Sequence, residues 1–164
     1  MSENQKTKIH KCLTEVYHLD PQSIQTITQK LSPIENSSII DDFIDLSKNL
    51  SFDPDKTPKI APLGNDDAVL KAPEWHHIVL ENPYIRILEI TVKPGEKVPF
   101  HTHQWDSITI SIQGSKFQID DTMGNVQIED WEEVAEFLEK TIDPLSYTNL
   151  GDQEFKALSF EIKE

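Results

Sequence analysis

A chain of 164 residues with 15 basic and 29 acidic side chains (net charge −14) suffices for one domain and an appendage, and it lacks the cationic surplus that nucleic acid attracts. No run of about 18 apolar residues could span a bilayer, and Met1–Lys6 lacks the charged-then-apolar layout of a secretory leader. Cys12 is the single cysteine, which excludes an internal disulfide and sets the expectation of a reducing, cytoplasmic location.

Residues 1–50 predict a helical segment. Ile9, Cys12, Leu13 and Val16 recur on one helix face, and Asp20-Pro21 supplies a cap followed by a proline at the first helical position. Ile24, Ile27 and Leu31 continue the pattern, Ser32-Pro33 interrupts it, and Ile39, Ile40, Phe43 and Ile44 suggest a third short helix. Helices this short need a packing partner: a sheet, one another or a second subunit. Lys30 and Lys48 are too sparse for a DNA-binding helix pair. Cys12 sits on a helix face, where packing is its expected role. Residues 51–73 hold Pro54, Pro58, Pro62, Pro73, Gly64 and Asp66-Asp67, and are expected to form a linker or an arm on the surface of the following domain.

Residues 74–164 change to strand signals. Tyr84–Val92 is rich in β-branched residues, Ser107–Gln113 alternates strictly, Lys116–Asp120 follows a Gly114-Ser115 pair expected to make a hairpin, and Phe155–Ile162 closes the series. Over 131–138 the residues Trp131, Val134, Ala135 and Leu138 fit a helix face, and periodicity alone leaves helix and strand open. Two orientations are also open for Ser107–Gln113. Either Ile108, Ile110 and Ile112 face the core, or Ser107, Thr109, Ser111 and Gln113 do and the isoleucines pack outward. Arg86 lies mid-strand, where an exterior salt bridge is expected ahead of an anion-anchoring role.

His101-Thr102-His103 carries the chemistry. Residues one apart on a strand share a face, and neutral imidazole is the commonest metal-donating side chain. The pair follows a Pro94-Gly95 turn and precedes a strand ending at Gly114. This arrangement resembles the first signature of the cupin family, with Gly95, His101, His103 and Gly114 in place and Ser107 where the family has a Glu. Asp143–Asp152 is similar to the second signature, with Leu145 at the position of the family's His and Asn149 retained. The likeness covers roughly residues 74–162.

That resemblance implies a mainly β chain: a cupin-type antiparallel β-barrel, or jelly roll, behind an N-terminal helical segment, with a strand near Val134–Leu138 and homodimer formation. It also implies that two of the four usual ligands, three His and one Glu, are replaced. The expected function is a small-molecule-binding barrel with a degenerate metal site, its ligand touching His101, His103, Ser107, Thr109, Tyr147 and Asn149, with no cofactor, no nucleic acid and no membrane. One alternative is a metal-dependent dioxygenase or isomerase with a rearranged Fe, Mn, Ni or Zn site on His101 and His103. Asp106, or one of His76 and His77, would then complete the site. A metal-free His–Asp106 base is a further possibility. The remaining alternative is a dimeric interaction or regulatory protein whose helices make the contacts.

Overall fold

The computed structural model describes residues 1–51 and 62–163, so Pro54 and Pro58 of the expected linker lie outside the described residues. Three capped helices open the chain. Helix α1 (Glu3–Glu15) starts in a capping box between Ser2 and Gln5. Asp20 accepts from the Gln22 and Ser23 amides at the start of α2 (Pro21–Leu31). Asn36, rather than the Ser32-Pro33 pair, caps α3 (Ser37–Ser47). A fourth helix, α4 (Ala68–Lys71), is a single turn capped by Asp67.

Among the described residues nine strands follow: β1 (His76–Glu81), β2 (Ile85–Val92), β3 (Lys97–His101), β4 (Ser107–Gln113), β5 (Ser115–Asp121), β6 (Val126–Trp131), β7 (Ala135–Leu138), β8 (Leu145–Asn149) and β9 (Phe155–Ile162). They form a sheet of order β1-β2-β9-β4-β7 and another of order β3-β8-β5-β6. With β1 set aside, the antiparallel pairs β2–β9, β3–β8, β4–β7 and β5–β6 fall alternately in the two sheets, as in a double-sheet jelly roll. Residues 135–138 are a strand, paired through Ile110↔Ala135 to Ser107↔Leu138.

The Gly114-Ser115 hairpin expectation is corrected, because β4 and β5 belong to different sheets and do not pair. A Cβ at Gly114 would stand 2.1 Å from the Trp131 carbonyl oxygen, so the chain changes sheets where only glycine fits. Gly95 has a φ of 79° in the Pro94-Gly95 turn, closed by the Glu96 amide on the Lys93 carbonyl at 3.1 Å.

The helices pack on the outer face of the five-stranded sheet. Ile9, Leu13, Ile27, Leu31, Ile40 and Phe43 join Ile85, Ile87, Ile108, Ile110, Leu158 and Phe160 in one buried cluster. The alternation of β4 is thereby settled, with isoleucines toward the helices and hydroxyls toward the other sheet. Gln113 departs from that set. The register slips between Ser111 and Gln113, a bulge that turns the Gln113 side chain to Gln153 on the surface.

Candidate metal centre and cavity

A cavity of about 890 Å³ lies between the sheets, and three histidines share its wall: His76, His101 and His103. The ring centroids stand 4.6, 5.2 and 5.3 Å apart, and one ring nitrogen from each lies within 4.8 Å of the others. His76 opens β1, the strand added to the jelly roll, and is buried while its neighbour His77 is exposed, as strand alternation requires. His101 closes β3. Its partner across the ladder is Leu145 of β8, the position at which the resemblance expects a histidine. An imidazole from the extra strand therefore enters the pocket where β8 offers only a hydrocarbon.

Each ring is held the same way. His76 Nδ1 is 3.0 Å from the Ala72 carbonyl, His101 Nδ1 is 2.7 Å from the Pro99 carbonyl, and His103 Nδ1 is 2.9 Å from Glu161 Oε1. Carbonyl and carboxylate oxygens only accept, so each Nδ1 is the donor and Nε2 is the nitrogen of each ring that would face a metal ion. Acceptors behind the rings are the outer partners of metal-bound histidine. Burial, and then the neighbouring His103 and His101, hold His76 well below the ordinary histidine range. Burial also brings His101 down to about 4. Both rings are thus neutral donors at pH 7. Three nitrogens and an open cavity side fit a transition-metal ion with one exchangeable position.

Glu161, absent from the sequence-predicted site, links the histidines to a buried ion cluster. Its Oε2 accepts from Arg86 Nε, and the Arg86 guanidinium is bidentate on Asp67 at 2.9 and 3.0 Å. All three side chains are fully buried. The exterior salt bridge expected for Arg86 is corrected: Arg86 lies on the inner face, with its guanidinium also over the Trp105 ring at 4.7 Å. Asp67 caps α4 through the Val69 amide. Residues 66–68 are pinned to Thr102, between the two motif histidines, by the Thr102 amide on the Asp66 carbonyl (2.7 Å) and the Ala68 amide on the Thr102 carbonyl (2.9 Å). This part of the expected linker is therefore built into the site. A sequence signal existed, an Arg and a Glu in mid-strand among apolar residues, but it needs the register Arg86↔Glu161 to become a pair.

Of the other predicted residues, Ser107, Thr109 and Tyr147 line the cavity. Ser107 Oγ and Thr109 Oγ1 lie 3.3 Å apart, and Thr109 donates to Ser159 at 3.0 Å. Two placements are corrected. Asp106 does not join the histidines, because its carboxylate accepts from the Lys140 amide at 2.8 Å. Asn149 does not line the cavity. Its amide donates to the Val92 and Gln153 carbonyls and its oxygen accepts from Ser115 and Gly151, so it ties the strand ends together.

No family model matches the chain, and no curated protein does. Among solved structures it is similar to a cupin domain from Bordetella pertussis Tohama I (18% identity, 54% of this chain and 92% of that one, TM-score 0.48). It is also similar to an RmlC-like cupin family protein with a double-stranded β-helix fold from Methanocaldococcus jannaschii (11%, 69% and 87%, TM-score 0.42). A third similar structure is the polyketide cyclase RemF from Streptomyces resistomycificus (14%, 70% and 81%, TM-score 0.41). The strand order itself defines the class: a double-sheet antiparallel jelly roll with a helical N-terminal segment. Among the described residues no helix is long and apolar enough to cross a membrane.

Proposed function

We propose that this chain is a metal-dependent cupin acting on a small molecule, with His76, His101 and His103 holding one divalent transition-metal ion at the wall of the cavity. The observation that carries this reading is the common tethering of the three Nδ1–H groups in one cluster of donor nitrogens, with His76 and His101 buried and His103 half-buried. All-imidazole donors suit Zn, Fe, Ni or Cu better than Mg or Ca. Charge agrees, since two buried carboxylates face one guanidinium and a cation offsets the excess. When bound, such an ion supplies Lewis acidity and a lowered pKa for coordinated water.

The chain's own residues do the rest. Glu161 fixes the tautomer and orientation of His103, and Arg86 with Asp67 fixes Glu161. Leu145, Val98 and Phe155 keep part of the cavity wall dry, while Ser107, Thr109 and Ser159 offer hydroxyls to a polar ligand.

The test is metal content and affinity. Protein purified without a polyhistidine tag, stripped by chelator and titrated with zinc in a calorimeter, is expected to bind about one equivalent. His76→Ala, His101→Ala and His103→Ala should each weaken binding by at least about tenfold to a hundredfold, and His77→Ala should not. A His76→Ala protein with wild-type zinc affinity would refute the three-imidazole centre. A second reading, a metal-free binding barrel, is favoured by Ser107 and Leu145 at positions where the resemblance has ligands. It predicts ligand binding unchanged by chelation and by His76→Ala.

A further inference from the structure

The cavity is lined in part by two edge strands, β6 of the four-stranded sheet and β7 of the five-stranded one, which do not pair with each other. Alternation fixes what they present there. Glu136 lies opposite Thr109, and Glu129 opposite Phe117, each on the inward face of its sheet. The residues lining the cavity include six acids, Asp121, Glu129, Asp130, Glu132, Glu136 and Glu139, and no lysine or arginine. Three acids elsewhere on the barrel have a lysine partner: Asp120 with Lys97 at 2.9 Å, Glu154 with Lys156 at 3.2 Å, and Glu81 with Lys163 at 2.6 Å. Among the described residues none of the six lining acids has a lysine or arginine partner.

Aromatic surface stands beside them. Trp131 donates its indole N–H to Glu129 at 2.8 Å, which fixes the ring, and the Tyr147 ring lies 5.5 Å from it. Deeper in, Ser111 is 5% exposed, lines the cavity and has no hydrogen-bond partner for its hydroxyl among the described residues, unlike Ser107, Thr109 and Ser159. An unpartnered, nearly buried hydroxyl aimed into a cavity marks a place for a polar ligand group.

We propose that the ligand of this cavity is a small organic amine, its ammonium held between Glu129 and Glu136 against the faces of Trp131 and Tyr147. Paired carboxylates without a protein counter-ion attract a cation, and indole and phenol faces add to it. An anionic ligand would meet only like charge at the mouth. The crowding of negative charge is visible in Glu136, whose carboxyl is held above the usual range by burial and then by Glu129. The inference rests on the cavity being a small-molecule site, as proposed above, and is independent of the metal ion.

The test uses three probes of one skeleton, phenethylamine, phenethyl alcohol and phenylacetate, titrated by NMR into chelator-treated and zinc-loaded protein. The amine should bind at least about tenfold more tightly than the alcohol in both forms, and phenylacetate most weakly in the chelator-treated form. The Glu129→Gln/Glu136→Gln variant should shrink the amine margin to below about threefold. The Glu35→Gln/Asp42→Asn variant removes as many charges from the helical segment and should leave the margin intact. Equal binding of amine and alcohol overturns the proposal, and so does an equal loss of the margin in the helical variant. If the margin holds while zinc fails to bind, the metal reading fails alone; if none of the probes binds, the cavity reading falls with this one.

Discussion

On β4, Ile108 and Ile110 press into the helices, while Ser107, Thr109 and Ser111 line the cavity one residue along. The same division runs through β9, where Leu158 and Phe160 face the helices and Ala157, Ser159 and Glu161 face inward. One face is dry and closed by Phe43, stacked on Tyr17 with centroids 6.0 Å apart and tilted on Phe160 at 4.9 Å. The other keeps histidines, hydroxyls and a buried ion cluster. The contrast teaches where stability and chemistry are held. In a jelly roll the residues between the sheets usually form the core, but here much of that role has moved outside, under the helices, and a cavity stays between the sheets.

The strongest way to break the comparison is to remove the helices. Without residues 1–50 the outer faces of β2, β4 and β9 would expose a contiguous apolar surface. We expect the truncated chain to be recovered as aggregate, or as an expanded dye-binding species by size exclusion and ANS fluorescence. A soluble monomer with native near-ultraviolet circular dichroism would show that the barrel does not depend on the helical face. Next in size is the inner face. Arg86→Met leaves Asp67 and Glu161 buried without their counter-ion and is expected to cost about 3–5 kcal/mol in urea denaturation. Adding Asp67→Asn and Glu161→Gln should restore a large part of that loss, because the unpaired charges go too. A loss under about 1 kcal/mol in Arg86→Met would place the pair in the weak, solvent-screened class.

Legibility in the sequence follows the same division. The dry face was readable because its signal is local. The three-four spacing of Ile9, Cys12, Leu13 and Val16 and the alternation of β4 name the elements before any contact is known. Which way β4 faced was not readable, since alternation fixes two faces and not their direction. The site was half legible. His101 and His103 announce themselves through spacing and the Pro94-Gly95 turn, whereas His76 had a visible neighbour, His77, and only the added strand β1 chooses between them. Asp67 and Glu161 stayed hidden because their partner, Arg86, is 19 residues from one and 75 from the other, and only the β2–β9 register and the docking of residues 66–68 bring them together. Asp106 misled for a related reason, since a loop carboxylate near a motif histidine in sequence was claimed by a backbone amide across the loop.

The smallest expected effect sharpens the account of the dry face. Cys12 lies beneath the helical cluster, and burial pushes its thiol up from 9.0 to about 11. The unfolded chain therefore releases this proton at lower pH than the folded one. Between about pH 9 and pH 11 the native state holds more protons, so stability is complete below pH 9 and falls as pH rises through that window. Tyr17, its phenol also raised by burial, adds to the loss at higher pH. Cys12→Ala, compared with wild type by urea denaturation at successive pH values, should keep its stability further into the alkaline range even though it begins less stable for want of a sulfur atom. Identical slopes in the two proteins would mean that water reaches Cys12, and that the face called dry is not. The inner face supplies the internal control, because removing the Ser111 hydroxyl, which does not titrate in this range, should leave the alkaline slope as it was.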